Sequence, residues 1–166
     1  MTLTTHSVVG GALAKALTIN PVIAFAVGVA GHYLIDSLPH WEYNLCSAKL
    51  DPNDRMNDDM VLGRNFIFDL GKIGLDFLLG LLLAVLFFYD PSRPESLFVV
   101  LAGVAGGVMP DFLQFVYMKT RCEPFKTFQK LHDYFHTSLQ LKTRPYLNII
   151  IQTLVIFGAF VFGNFN

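Results

Sequence analysis

Three long apolar runs constrain this chain more than any other feature of its sequence. They cover residues 65–88, 95–118 and 146–163. Crossing the hydrocarbon core of a bilayer takes about 20 apolar residues in a helix, and backbone hydrogen bonds there must be satisfied within the segment. Charged residues make up only 15% of the chain, against the roughly 25% of a typical soluble domain. The sequence therefore predicts an all-α, polytopic membrane protein with a single embedded domain over residues 1–166.

A shorter apolar region, residues 7–37, is divided by Asn20-Pro21, and neither half reaches the length of a span. The region could form one kinked span of about 30 residues, or a re-entrant helical hairpin that enters and leaves on the same side. We favour the hairpin, because a single span would separate His6 from the other histidines. With the long runs, this gives about five to six hydrophobic helices.

The distribution of basic residues predicts the orientation in the membrane. Residues 119–145 are rich in Lys and Arg, whereas the short loop at 89–94 contains only Arg93. Cytoplasmic loops carry an excess of these residues, so residues 119–145 and 41–64 are predicted to be cytoplasmic. The net charge of −1 gives no indication of nucleic-acid binding.

The five histidines all fall in polar motifs predicted to lie on this same side. His32 and Asp36 are four residues apart, and so are His132 and His136, so each pair would share one face of a helix. Two ligands at this spacing can hold one metal ion, as in the helical zinc site of the HExxH proteases. Asp133 follows His132 where those proteases have Glu, so a zinc protease is not predicted.

A further acidic group, Asp111, follows Pro110 within the second long apolar run. We expect the helix to be interrupted there, which would direct the carboxylate into a polar cavity. An ionisable group at membrane depth is a functional-site hypothesis by default. The complete set of predicted metal ligands is His6, His32, Asp36, His40, Asp111, His132 and His136.

Two more acidic residues, Asp69 and Asp76, lie seven residues apart on one predicted helix face, with Lys72 between them. Two interpretations stay open. The two aspartates and Lys72 could form a buried charge network with a structural role. Alternatively, the two aspartates could support the metal site by binding the ion or one of its ligands. Thr137 and Ser138 are predicted to make hydrogen bonds or cap a helix rather than to act as nucleophiles.

Mixed histidine and carboxylate ligands suit zinc, manganese or iron. The number of candidate ligands allows one or two ions, and a two-metal site is the usual equipment for phosphoester hydrolysis. Two alternatives to an enzyme remain. The chain could be a non-catalytic metal-binding or ion-transport protein, or a membrane protein whose metal only holds helices together. The unbroken apolar sequence of residues 78–88 offers no polar path and argues against transport.

The order of the short motifs resembles the YdjM-like family of inner-membrane metal-dependent hydrolases. The motifs are Thr5-His6 before Gly10-Gly11, Gly31-His32…Asp36…Pro39-His40, Pro110-Asp111, and Leu131-His132…His136-Thr137-Ser138. The resemblance implies a location in the bacterial inner membrane and a metal site, with zinc as the expected ion. It also implies a lipid or lipid-linked substrate whose ester or phosphoester is hydrolysed. A metal-activated water would be the nucleophile, and Asp36 or Asp111, if not a metal ligand, would be the general base. This chain has Phe112-Leu113 where family members often have a second acidic residue, and Asp133 where Arg is common.

Overall fold

The computed structural model describes residues 1–136 and 145–165. The prediction of an all-α fold is confirmed: 74% of the residues are helical and 3% are in strands. The helices are α1 (Leu3–Leu17), α2 (Pro21–Asp36), α3 (Arg64–Phe88), α4 (Ser96–Thr120), α5 (Phe125–Phe135) and α6 (Pro145–Phe165). Between α2 and α3, the short strands β1 (Ala48–Lys49) and β2 (Asp59–Met60) pair antiparallel around a 3-10 turn at Arg55–Asn57.

Three helices in the described part of the chain are long and apolar enough to cross a membrane: α3, α4 and residues Tyr146–Phe165 of α6. Their outer surfaces carry exposed large apolar side chains, among them Leu75, Leu86 and Leu154. Extended apolar surfaces are uncommon on soluble monomers. The three helices therefore allow a membrane protein by length and composition, while α1 and α2 are shorter than a span.

The Asn20-Pro21 break in the sequence marks the start of α2. The Asn20 side chain accepts hydrogen bonds from the backbone N–H groups of Val22 and Ile23, and Pro21 occupies the first helical position, where it loses no helix hydrogen bond. The rings of His6 near the start of α1 and of His32 near the end of α2 stack at 4.0 Å. A re-entrant position of this helix pair in a membrane stays a prediction.

Helix α1 occupies the centre of the fold, packed against α2, α3, α4 and α6. Its Val8 and Ala12 join a buried cluster with residues of α3 and α4. Glycines allow the closest crossing, since a Cβ at Gly10 would collide with the carbonyl oxygen of Gly103 in α4. Small residues permit this kind of backbone contact between membrane helices. The crossing brings polar residues of α1, α2 and α4 to one level.

The expected interruption of the helix at Pro110 is wrong. Helix α4 is continuous from Ser96 to Thr120, with Pro110 buried inside it. A proline removes one helix hydrogen bond, which neighbouring groups can replace in a packed bundle. Close packing of α1 and α2 against this part of α4 accounts for the continuity. Asp111 therefore projects from an intact helix.

The segment between α2 and α3 folds back over the end of α4. Lys119 donates a hydrogen bond to the carbonyl oxygen of Met60, and Arg121 donates one to the carbonyl oxygen of Met56. These bonds from the last turn of α4 hold the 3-10 turn at Arg55–Asn57. The turn thereby comes to lie against α5, with which it is in contact.

Candidate metal centre

Five predicted ligands from four helices converge on one point. We call His6, His32, Asp36, Asp111 and His132 the inner cluster. Ligand atoms of the first four all lie within 4.8 Å of one another. The fifth joins them from α5, with the His132 Nε2 atom 3.5 Å from Asp36 Oδ2 and 3.4 Å from Asp111 Oδ1. The structure thus brings together the motifs of α1, α2, α4 and α5.

A backbone hydrogen bond determines which nitrogen of His32 faces the cluster as an acceptor. Its Nδ1 atom lies 2.8 Å from the carbonyl oxygen of Gly107, and a carbonyl can only accept, so Nδ1 donates the proton. In the neutral ring, Nε2 then carries a lone pair, and it lies 3.2 Å from Asp36 Oδ2. Metal-binding histidines are commonly fixed in this way. A metal ion or a proton between that lone pair and the carboxylate would relieve their repulsion.

The inner cluster is deeply buried, yet many of its polar atoms are unsatisfied. Both ring nitrogens of His6 and of His132, Nε2 of His32 and Oδ2 of Asp36 lack a hydrogen bond of good geometry. A buried polar group without a partner costs about 1–3 kcal/mol. The Asp36 Oδ1 atom does lie 3.0 Å from the amino nitrogen of Met1. The remaining donor atoms fit the needs of a divalent ion, so the cluster could hold one.

Positive charge is favoured at this site. Burial lowers the pKa of His132, but hydrogen bonding and charge attraction from Asp111 and Asp36 outweigh that effect and raise the pKa to about 9. The two carboxylates thus attract a proton or a metal ion. Metal binding to such a site is coupled to the loss of protons.

The inner cluster has one open side, at Asp111. The Asp111 side chain is 26% exposed, whereas those of the other four members are at most 4% exposed. Aromatic rings lie close by, with Tyr33 centred 5.5 Å from His32 and 5.3 Å from Phe135. Within residues 1–136 and 145–165, the open approach for a small polar molecule is therefore past Asp111.

The other two predicted ligands belong to a second group. We call His40, Glu42 and His136 the outer cluster. Glu42 Oε1 lies 3.2 Å from His40 Nε2 and 2.7 Å from His136 Nε2. The outer cluster adjoins the inner one, since the rings of His132 and His136 are centred 5.5 Å apart. By the types and distances of its ligand atoms, it too could hold a metal ion.

The end of α5 explains why His132 and His136 separate. The sequence predicts that they share a helix face, but α5 ends at Phe135, and His136 has an extended backbone with ψ of 121°. Its side chain therefore does not follow that of His132. His32 and Asp36 both lie within α2, and their side chains do meet, as their spacing predicts.

Sequence reasoning missed Glu42. Its signal is modest: an acidic residue two positions after His40, in a segment without helical periodicity. His40 is fixed by its own backbone, since its Nδ1 atom lies 2.7 Å from the carbonyl oxygen of Leu38. The hydrogen bond from His136 holds the pKa of Glu42 well below its usual range, although burial opposes it.

Arg55 governs the proton on His136. Its Nη1 atom lies 3.4 Å from Nδ1 of His136, and a guanidinium can only donate. Nδ1 therefore accepts, which leaves the proton on Nε2 to be donated to Glu42. In this arrangement, a hydrogen bond rather than an open lone pair joins His136 to Glu42.

Asp69 and Asp76 make hydrogen bonds away from the metal ligands. Asp69 accepts bonds from the backbone N–H and hydroxyl of Ser47, at 2.7 and 2.8 Å, and pairs with Lys72. Ser47 lies in the segment between α2 and α3, so Asp69 ties that segment to α3. This geometry favours a structural role for Asp69.

Asp76 instead holds the start of α1. It accepts from the backbone N–H of Thr4 at 3.0 Å and from the Tyr43 hydroxyl. Burial and the bond to Asp76 raise the pKa of Tyr43, so that hydroxyl stays protonated and donates. Asp76 thereby positions the turn of α1 that carries His6. Thr137 and Ser138 lie outside the described residues.

Comparisons with known proteins gave no match. No family model matches the chain, and neither a curated protein nor a solved structure matches it. Fold and site together define a helical protein with three helices of membrane-spanning length and with buried histidine and carboxylate groups that could hold a metal ion.

Proposed function

We propose that this protein is a membrane-bound, metal-dependent hydrolase of the YdjM-like kind. Its substrate is an ester or phosphoester of a lipid or lipid-linked molecule. The bilayer is a bacterial inner membrane, α1 and α2 form a re-entrant hairpin within it, and the site faces the cytoplasm. The observation that carries the proposal is the inner cluster: three imidazoles and two carboxylates, buried where four helices meet and open on one side.

The residues of the inner cluster divide into two roles. His6, His32, His132 and the deeply buried Asp36 bind the ion, and this nitrogen-rich set suits zinc. A bound zinc ion lowers the pKa of water, so that hydroxide is available near neutral pH. Asp111 stands at the open side, where it can accept a proton from a water molecule as the general base. Its exposure supports this role over a role for Asp36, which is buried.

The surroundings of the open side support a substrate from the lipid phase. The ring of Tyr33 is centred 5.5 Å from His32 and 6.5 Å from His132, and it contacts Phe135, which is exposed. An amphiphile could place its apolar chain along such side chains while its polar group reaches Asp111. A fully water-soluble substrate would gain nothing from this apolar surface.

A non-catalytic metal site is the second candidate. Three histidines and Asp36 can complete a closed four-coordinate site without Asp111, as structural zinc sites do. Ion transport has less support, because Asp69 and Asp76 are engaged with Ser47 and Thr4 rather than aligned along a path.

The test begins with the metal content of the detergent-purified protein. We expect about one equivalent of zinc in the wild type, its loss in His32→Ala and in His132→Ala, and its retention in the outer-cluster control His40→Ala. Failure of the wild type to retain or rebind metal, after purification without chelators, would contradict the proposal.

Activity is tested separately, with lipid ester and lipid phosphoester substrates. Asp111→Asn preserves the shape of the side chain, and we expect it to keep the metal but lose hydrolysis by about 100-fold or more, within the usual range for a general base. Metal retention without any hydrolysis that depends on Asp111 would favour the non-catalytic site.

A further inference from the structure

Helix α5 presents three distinct faces, although it supplies a single member of the inner cluster. One face is buried and contains His132 and Gln129. A second face carries large apolar side chains that the rest of the described chain leaves exposed, with Tyr134 at 82%. These side chains recur at helical spacing and so form one continuous strip. The strip, which we call the apolar face of α5, consists of Phe128, Leu131, Tyr134 and Phe135.

The third face is basic. Lys126 and Lys130 are both exposed and lie four residues apart, along the side of α5 between the buried face and Tyr134. Neither forms an ion pair within the described residues. A helix with an aromatic strip beside a lysine edge matches the pattern of helices that lie in a membrane interface.

The position of α5 agrees with this pattern. A link of four residues joins α4 to α5, and α5 then runs back along α4 so that His132 meets Asp111. Asp111 lies nine residues before the end of α4 (120 − 111), or about 14 Å at 1.5 Å per residue. The 25 residues of α4 span about 37 Å, which exceeds the roughly 30 Å hydrocarbon core. In a bilayer crossed by α4, helix α5 would therefore lie at the level between headgroups and outer hydrocarbon.

We propose that α5 docks on an anionic lipid surface and that this contact holds His132 in the inner cluster. The apolar face of α5 enters the outer hydrocarbon, and Lys126 and Lys130 bind acidic headgroups. Because the buried face of the same helix carries His132, lipid contact and metal binding stabilise the same position of α5. This inference rests on the proposed function for the membrane and the metal, and it adds that anionic lipid regulates assembly of the site.

The docking itself can be tested without any metal. In a background with the exposed cysteines changed (Cys46→Ser, Cys122→Ser), a fluorophore is attached to Leu131→Cys, to Tyr134→Cys or to the control Lys49→Cys in β1. The proteins are placed in nanodiscs of phosphatidylcholine with about 30% phosphatidylglycerol. We expect lipids that carry a quencher to quench positions 131 and 134, and aqueous acrylamide to quench position 49.

Two results would overturn the docking. Quenching of positions 131 and 134 by acrylamide would place the apolar face of α5 in water. Protection of both positions from both quenchers would show that protein covers that face, either a second copy or another part of this chain.

The coupling is tested by the zinc affinity of Lys126→Gln and Lys130→Gln in the same nanodiscs. Each lysine near an anionic surface contributes about fivefold to binding, so each variant is expected to bind zinc up to about fivefold more weakly than the wild type. In nanodiscs of phosphatidylcholine alone, the difference should vanish. The control Lys49→Gln, an exposed lysine of β1, is expected to match the wild type in both lipids.

The sign of the effect makes this test decisive. Removing a positive charge near a cation site strengthens metal binding by simple electrostatics, whereas the coupling predicts weaker binding. Equal or tighter zinc binding by the variants in anionic nanodiscs would overturn the coupling. If the wild type binds no zinc in any lipid, the proposed function and the coupling fail together, while the quenching result still decides the docking.

Discussion

The inner and outer clusters are built from the same residue types and are neighbours, yet their chemistry differs. The inner cluster is carried by helices and is buried apart from Asp111. The outer cluster lies on a non-helical segment and at the end of α5, and its Glu42 side chain is 42% exposed. The histidines illustrate the consequence. When Nδ1 donates to a backbone carbonyl oxygen, as in His32 and also in His40 of the outer cluster, Nε2 is free to accept. When Nδ1 accepts from a guanidinium, as in His136, Nε2 becomes a donor.

The hydrogen-bond partner of Nδ1, the ring nitrogen that points away from the cluster, therefore decides whether Nε2 offers a lone pair or a proton to the cluster. The types of the residues and the distances between them do not distinguish the inner cluster from the outer one, since the ligand atoms of each lie close enough together to bind one ion. We infer that the inner cluster is the stronger metal site, and the following predictions test that ranking.

The largest effect is expected from Asp36→Asn. This change keeps the size of the side chain but removes the charge that lies beside His6, His32 and His132. We expect zinc affinity, measured by competition with a chelator, to fall by 100-fold or more, since loss even of a supporting residue costs about 10–100-fold. The matched change Glu42→Gln in the outer cluster should cost less than about threefold. Equal losses in both variants would contradict the ranking of the two clusters.

The next effect concerns the crossing of α1 and α4, which brings His6 to the inner cluster. In Gly103→Val, the new side chain meets the backbone of Gly10 and pushes α1 away from α4. Overpacking of this kind costs about 1–3 kcal/mol of stability, and we expect weaker zinc binding as well. The control Gly71→Ala places its Cβ in open space on α3, and it should be neutral or stabilising by up to about 1 kcal/mol. Denaturant unfolding in detergent would measure both, and an unaltered Gly103→Val protein would show that the crossing can relax.

A smaller effect is expected from Arg55→Ala, which should make the clusters more alike. Without the guanidinium, Nδ1 of His136 loses the donor from Arg55, and Nε2 can offer its lone pair; the loss of a positive charge beside the outer cluster acts in the same direction. A hydrogen bond to a charged group contributes about 1.5–3 kcal/mol, so we expect affinity for a second zinc ion to rise by about tenfold or more. Titration calorimetry would measure it, with the exposed Arg64→Ala as control. An unchanged second affinity would show that Arg55 does not restrain His136.

The smallest effect on zinc affinity is expected from Tyr43→Phe. The change removes the hydrogen bond that the hydroxyl donates to Asp76 and the one that it accepts from the Leu3 N–H, but it leaves those from Thr4 to Asp76. A loss of about 2–3 kcal/mol in stability and less than about tenfold in zinc affinity is expected. A loss as large as that of Asp36→Asn would instead assign Asp76 a direct role at the metal.

Much of the architecture could be predicted because it depends on local patterns. The boundaries of the three long apolar runs agree within a few residues with those of α3, α4 and α6. Asn20 caps the N-terminus of α2, and Pro21 is the first residue of that helix. The meeting of His32 with Asp36 also follows from spacing, since both residues lie within one helix. The continuity of α4 through Pro110 could not be predicted in this way, because packing against α1 and α2 outweighs the local preference of proline.

By itself, the sequence determined which segments are apolar helices and which polar residues interrupt them, because hydrophobic length and helical periodicity are properties of consecutive residues. Only the tertiary structure decided how the predicted ligands divide. Helix α5 ends one residue before His136, the segment after α2 brings Glu42 to it, and the end of α4 holds the turn that carries Arg55. These contacts join residues far apart in the chain, and the protonation of a histidine depends on such neighbours rather than on its position in the sequence.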